Sequence, residues 1–157
     1  MSIDFIPGDT VEVPEIPFEE EVELPADRTA LIVVDMQNDF VDPDGALHVP
    51  AAKEAAPRIQ RLLERAREAG VHIAFTQDTH REGDPEWGNW PEHVKMGTWG
   101  WEIIDELKPE PGELVCKKTR YDGFYGTWLE HYLSRVWDVD SVVVVGTVSN
   151  ICVLHTA

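Results

Sequence analysis

Four consecutive valines, Val142 to Val145, lead straight into Gly146-Thr147-Val148-Ser149-Asn150-Ile151-Cys152, and this stretch constrains the fold more than any other. A strand without polar alternation reads as buried on both faces, as strands are at the centre of a parallel sheet. Gly146 and Thr147 end the run. Ser149 stands where an N-capping side chain would meet the N–H of Cys152 at the third position of a new helix. Cys152 is therefore expected on the first turn of a helix, just past the C-terminal edge of a central strand. A helix N-terminus favours a thiolate, and its free N–H groups bind an oxyanion. A single cysteine after a strand has a simpler reading as a small buried hydrophobe.

Three earlier segments repeat this design. TALIVVD (29–35) is an apolar run closing on Asp35, a carboxylate that is costly to bury without a partner. VHIAFTQ (71–77) delivers Asp78, Thr79 and His80, and ELVCKK (113–118) ends on Lys117 and Lys118. Between the first two, Ile59, Leu62, Leu63 and Ala66 mark one face of a helix over 52–69 that stops at Gly70. Pro57 fits only a first turn, which places the start of that helix nearer Glu54. Thr127 and Glu130 have the spacing of a capping box for a helix running to Trp137. Strands alternating with helices predict an α/β fold around a parallel sheet with right-handed crossovers.

In such a sheet the C-terminal strand ends converge on one edge, where ligands of open α/β folds bind. Asp35, a lysine at 117 or 118, and Cys152 would meet there as a nucleophile with its own base and a neighbouring cation. Each residue alone is read more simply as a strand end, a surface charge or core; together they predict a site. Cys116 is expected to be structural, pointing into the sheet. Asp78 and His80 face one way on an extended segment, and His93 follows in a Trp- and Pro-rich loop. One carboxylate and two imidazoles form a candidate set for Zn²⁺, Fe²⁺ or Mn²⁺, with Glu86 as a candidate fourth ligand. His48, His72, His131 and His155 have no such company and read as structural or surface residues. The loop over 81–112, with Trp87, Trp90, Trp99 and Trp101, is long enough to form a pocket wall.

The motifs VVDMQNDF, QDTH, WPEHVKMGTWGWE, KKTRYDGFYGT and GTVSNICV together resemble the isochorismatase-like cysteine hydrolases, nearest the nicotinamidase/pyrazinamidase branch. The resemblance implies a Rossmann-like three-layer α/β/α fold with a mainly parallel, six-stranded sheet, and a Cys–Asp–Lys triad matching Cys152, Asp35 and Lys118, with Lys118 chosen by its place before Arg120. It implies a cis peptide at Thr147–Val148 and an oxyanion hole from the Val148 and Cys152 N–H groups. It assigns Asp78, His80 and His93 to a metal, zinc first and iron or manganese as alternatives, and Phe40 and Trp90 to a clamp on the substrate ring. A further metal-shell histidine of that branch is replaced by Glu86. The implied function is nicotinamide hydrolysis through a thioester. The alternatives are another family hydrolase acting on a carbamoyl or ureido amide, and a non-catalytic binding or assembly module on the same fold.

The resemblance also implies further strands and helices after the nucleophile, whereas the sequence ends at Ala157, so residues 1–157 alone are expected to fold poorly. Residues 1–28 carry four prolines and nine acidic residues against Arg28 alone, and read as an extended arm preceding a hydrolase domain over 29–157. A formal charge of −17 argues against nucleic acid or an anionic membrane as partner. The expected partner is a small-molecule amide, with homo-oligomerisation of the full-length protein. Two cysteines without paired spacing, and no signal-like or membrane-spanning run, fit a cytoplasmic setting.

Overall fold

In the computed structural model, which describes residues 15 and 21–157, the apolar runs become a four-stranded sheet. The strands are β1 (Thr29–Val34), β2 (His72–Asp78), β3 (Leu114–Lys118) and β4 (Ser141–Gly146), all parallel, in the order β3-β2-β1-β4. Parallel neighbours need long crossovers, and helices supply most of them. The helices are α1 (Asn38–Val41), α2 (Pro50–Ala69), α3 (Leu129–His131) and α4 (Cys152–Thr156), with α3 continuing as a π-turn over Tyr132–Val136. None is long and apolar enough to cross a membrane.

The period of the strands builds the three layers. Leu31, Val33, Ile73 and Phe75 pack with Ile59 and Leu63 of α2 in one core. Ala30, Ile32, Val34 and Ala74 face the other way, against Leu129, Leu133 and Cys152. Cys116 lies buried in this second layer, the structural position expected of it. All six residues of β1 are buried, because both its faces and both its edges are covered.

The structure departs from the sequence reading at four places. Among the described residues the valine strand, read as central, stands at one end of the sheet beside β1, and Val142 is 49% exposed. An unbroken apolar run reports cover above and below a strand, not which strands lie beside it. α2 begins at Pro50, so Pro57 lies inside it. Pro57 and Lys53, whose carbonyl loses its helical partner, are both exposed, so water can take that bond. The Thr127/Glu130 capping box does not form. Thr127 Oγ1 accepts from Leu129 N at 3.2 Å and donates to Gly123 O, and the helix it precedes runs on through the π-turn to Val136, next to the expected end at Trp137. Ser149 does not cap α4, whose N-cap is Ile151; Ile151 N and Val153 N instead donate to the Val148 carbonyl.

Most of the acidic arm assigned to 1–28 lies outside the described residues. Of its described part, 21–25 have no regular structure and Ala26–Arg28 make one 3-10 turn. Arg28 pairs with Asp138 and Asp140 in the loop before β4.

Candidate active site

The C-terminal ends of the four strands bring together the residues that the sequence singles out. β1 hands over directly to Asp35, whose φ of 50° turns the chain sharply at the strand end. β3 ends on Lys118, and the turn after β4 leads to Cys152 at the first position of α4. Lys118 Nζ lies 2.8 Å from Asp35 Oδ2 and 3.7 Å from Cys152 Sγ. It also donates to the Arg120 carbonyl at 2.9 Å and stands 3.4 Å from Asp78 Oδ1. Asp35 Oδ1 accepts a 2.7 Å hydrogen bond from Thr76 Oγ1 of β2. Lys117, the other candidate cation, points away and stacks on Trp101.

Burial sets the electrostatics here. It raises the Asp35 carboxyl above the ordinary range, although Lys118 pulls it down. Burial would lower Lys118, but Asp35 and Asp78 together hold it above its ordinary value. The Cys152 thiol is pushed well up, by burial first and by the Asp35 charge second, with Lys118 opposing both. Burial and the Asp35 charge thus favour the thiol form of Cys152, against the expectation of a thiolate favoured by a helix terminus, and the thiol lies beside a carboxylate that could take its proton.

A cavity of about 150 Å³ opens over Cys152. Phe40 and Trp90, the expected clamp, both line it, and Trp90 Nε1 donates to Tyr121 Oη at 3.0 Å. The Thr147–Val148 peptide is cis, as the resemblance implies. Among the described residues, neither Val148 N nor Cys152 N makes a backbone hydrogen bond.

Beside Asp35, Lys118 and Cys152 lies the second cluster. Asp78, His80 and His93 are all buried, with ligand atoms within 4.8 Å of one another. His80 Nδ1 is held by Asp84 Oδ2 at 3.0 Å, and His93 Nδ1 by the Pro91 carbonyl at 2.7 Å. Both rings are thereby fixed with Nε2 on the Asp78 side, at 3.3 and 4.0 Å from Asp78 Oδ2. His80 Nε2 is buried without a hydrogen bond. This donor set fits a divalent cation, and the partners of the Nδ1 atoms are those that orient metal-bound histidines. Glu86 falls in a separate grouping with His80 and Asp84, and its Oε2 lies 3.5 Å from Arg120 Nη1. It is not brought together with Asp78 and His93 as a fourth ligand.

Residues 29–157 match the model of the isochorismatase domain. The chain belongs to the isochorismatase family. It is 33% identical over 160 residues to the ureidoacrylate amidohydrolase RutB of Agrobacterium fabrum, covering 85% of this chain and 70% of that protein. Among solved structures it is similar to N-carbamoylsarcosine amidase from Thermoplasma acidophilum, with TM-score 0.75 and 38% identity over 82% of this chain and 73% of that one. It is also similar to the pyrazinamidase of Pyrococcus horikoshii in complex with zinc, with TM-score 0.77 and 32% identity over 83% and 76%. The chain spans about two thirds of the length of the curated relatives it matches.

This isochorismatase-family site also depends on residues that the sequence reading did not single out. The Gln37 side chain clamps the Asp78 backbone, accepting from its N–H at 2.8 Å and donating to its carbonyl at 2.9 Å. Asp39 Oδ2 accepts from Val94 N at 2.6 Å and Oδ1 from Ala46 N at 3.0 Å, so one carboxylate ties two pocket loops together. Val94, next to His93, has a φ of 39°, which a β-branched residue adopts only when its surroundings hold it there. Both clamps come from VVDMQNDF, where polar residues directly after a buried strand were the available signal.

Proposed function

We propose that this chain is a cysteine amidohydrolase whose substrate is a ureido or carbamoyl amide. The observation that carries the chemistry is the buried line of Asp35, Lys118 and Cys152, with Lys118 Nζ within 2.8 Å of the carboxylate and 3.7 Å of the thiol. The substrate class is supported by the ureidoacrylate amidohydrolases among its sequence relatives and the carbamoylsarcosine amidase among its structural ones.

In this reading Cys152 Sγ attacks the carbamoyl carbon as its proton passes to Asp35. The Val148 and Cys152 N–H groups receive the oxyanion, and Lys118 balances the charge that moves between thiol and carboxylate. The amine departs with the proton that Asp35 holds, leaving a carbamoyl group on sulfur. Asp35 then deprotonates water, which breaks the C–S bond and releases carbamate and the thiol. Asp78, His80 and His93 would hold a divalent metal, which supplies Lewis-acid polarisation when bound.

A second reading, nicotinamide hydrolysis, is favoured by the placing of Asp78, His80 and His93 beside a cavity lined by Phe40 and Trp90. Consumption of ureido acids and of nicotinamide, measured side by side with and without chelator, separates the two. Faster turnover of ureido acids supports the proposal. Turnover of nicotinamide alone, abolished by chelator, replaces it with the second reading.

A further inference from the structure

Among the described residues, four buried side-chain polar atoms lack a hydrogen bond: Asp35 Oδ2, His80 Nε2, Glu86 Oε2 and His48 Nε2. The first faces the Lys118 ammonium, and the next two belong to the cluster around the metal ligands. His48 Nε2 has no such explanation. His48 lines the same cavity as Cys152, between Leu47 and Val49, which line it too. Its segment is pinned to the clamp-bearing turn, for Leu47 N donates to the Asp39 carbonyl at 3.0 Å and Val49 N to the Phe40 carbonyl at 2.8 Å. The imidazole is thus held in a largely apolar wall by backbone bonds it does not itself make.

An unsatisfied buried nitrogen lowers stability unless something else supplies its partner. Apolar pockets fix a ligand's orientation with a few such groups. We infer that His48 is the specificity-determining residue of this site, donating from Nε2 to the carboxylate of a ureido acid whose carbamoyl carbon lies over Cys152. This inference rests on the ureido reading proposed above. It differs from the sequence reading, in which His48 is structural or surface.

The test compares kcat and KM for 3-ureidopropionate and for its methyl ester in the wild-type protein, His48→Leu and His48→Gln. Losing a hydrogen bond to a charged group is expected to raise KM for the acid roughly tenfold to a hundredfold. The preference for acid over ester should collapse in His48→Leu and survive in part in His48→Gln, which keeps an N–H donor. A preference that His48→Leu retains overturns the inference. So does a wild-type protein that turns over acid and ester alike, an outcome that leaves the ureido reading intact. Failure of the wild type to turn over either compound overturns that reading, and the inference with it.

Discussion

Lys118 Nζ and Asp35 Oδ2 lie 2.8 Å apart with both side chains fully buried. A pair so placed gives little net stability when intact, yet removing one partner leaves the other charge stranded. Lys118→Met is therefore expected to destabilise the protein by about 3–5 kcal/mol in urea unfolding. The double variant Lys118→Met/Asp35→Asn should recover part of that loss. Additive effects of the two substitutions would show that the pair is not coupled.

The acid limb of the pH profile reports Asp35. This carboxyl takes the thiol proton only when ionised, so kcat/KM falls as pH drops through its value. Burial raises that value, against the pull of Lys118, so the limb is expected above the ordinary aspartate range near 3.9. Thr76→Val removes a hydrogen bond that favours the charged form, and should move the limb further up. A limb that stays in place in Thr76→Val would remove Asp35 from this role.

Much of this site was legible in the sequence because each strand ends abruptly in chemistry. Asp35, Asp78 and Lys118 are costly residues at the ends of apolar runs, and a parallel sheet sends such ends to one edge. The rest was hidden for physical reasons. His48 sits in a loop without period, and its unpaired nitrogen shows only once the cavity wall is built. The raised thiol of Cys152 follows from burial depth, which local spacing does not carry. The place of β4 in the described strand order could not be read because Val142 to Val145 signal cover above and below the sheet, not beside it.

Zinc binding at Asp78, His80 and His93 would stabilise the folded state by mass action. Adding zinc at a hundred times its dissociation constant should contribute about 2.7 kcal/mol and raise Tm, and chelator should reverse the rise. His80→Ala should abolish the shift while Lys117→Ala leaves it. A zinc-dependent rise of equal size in His80→Ala would place the metal elsewhere.

Asp39 supports that cluster from behind. Asp39→Ala leaves the Val94 and Ala46 N–H groups without their acceptor, at about 1–3 kcal/mol for each that stays buried. The loop carrying His93 should loosen, so zinc titrated calorimetrically into Asp39→Ala should bind more weakly than into the wild type. Unchanged affinity would show that the loop holds its place without this carboxylate.

In the proposed reaction Cys152 carries the substrate covalently. Intact-mass spectrometry of protein quenched during turnover of a ureido acid detects that adduct. The expected result is one added carbamoyl group that maps to Cys152, and no adduct and no turnover in Cys152→Ala. Turnover persisting in Cys152→Ala, or an adduct mapping to Cys116, would remove Cys152 from the role of nucleophile.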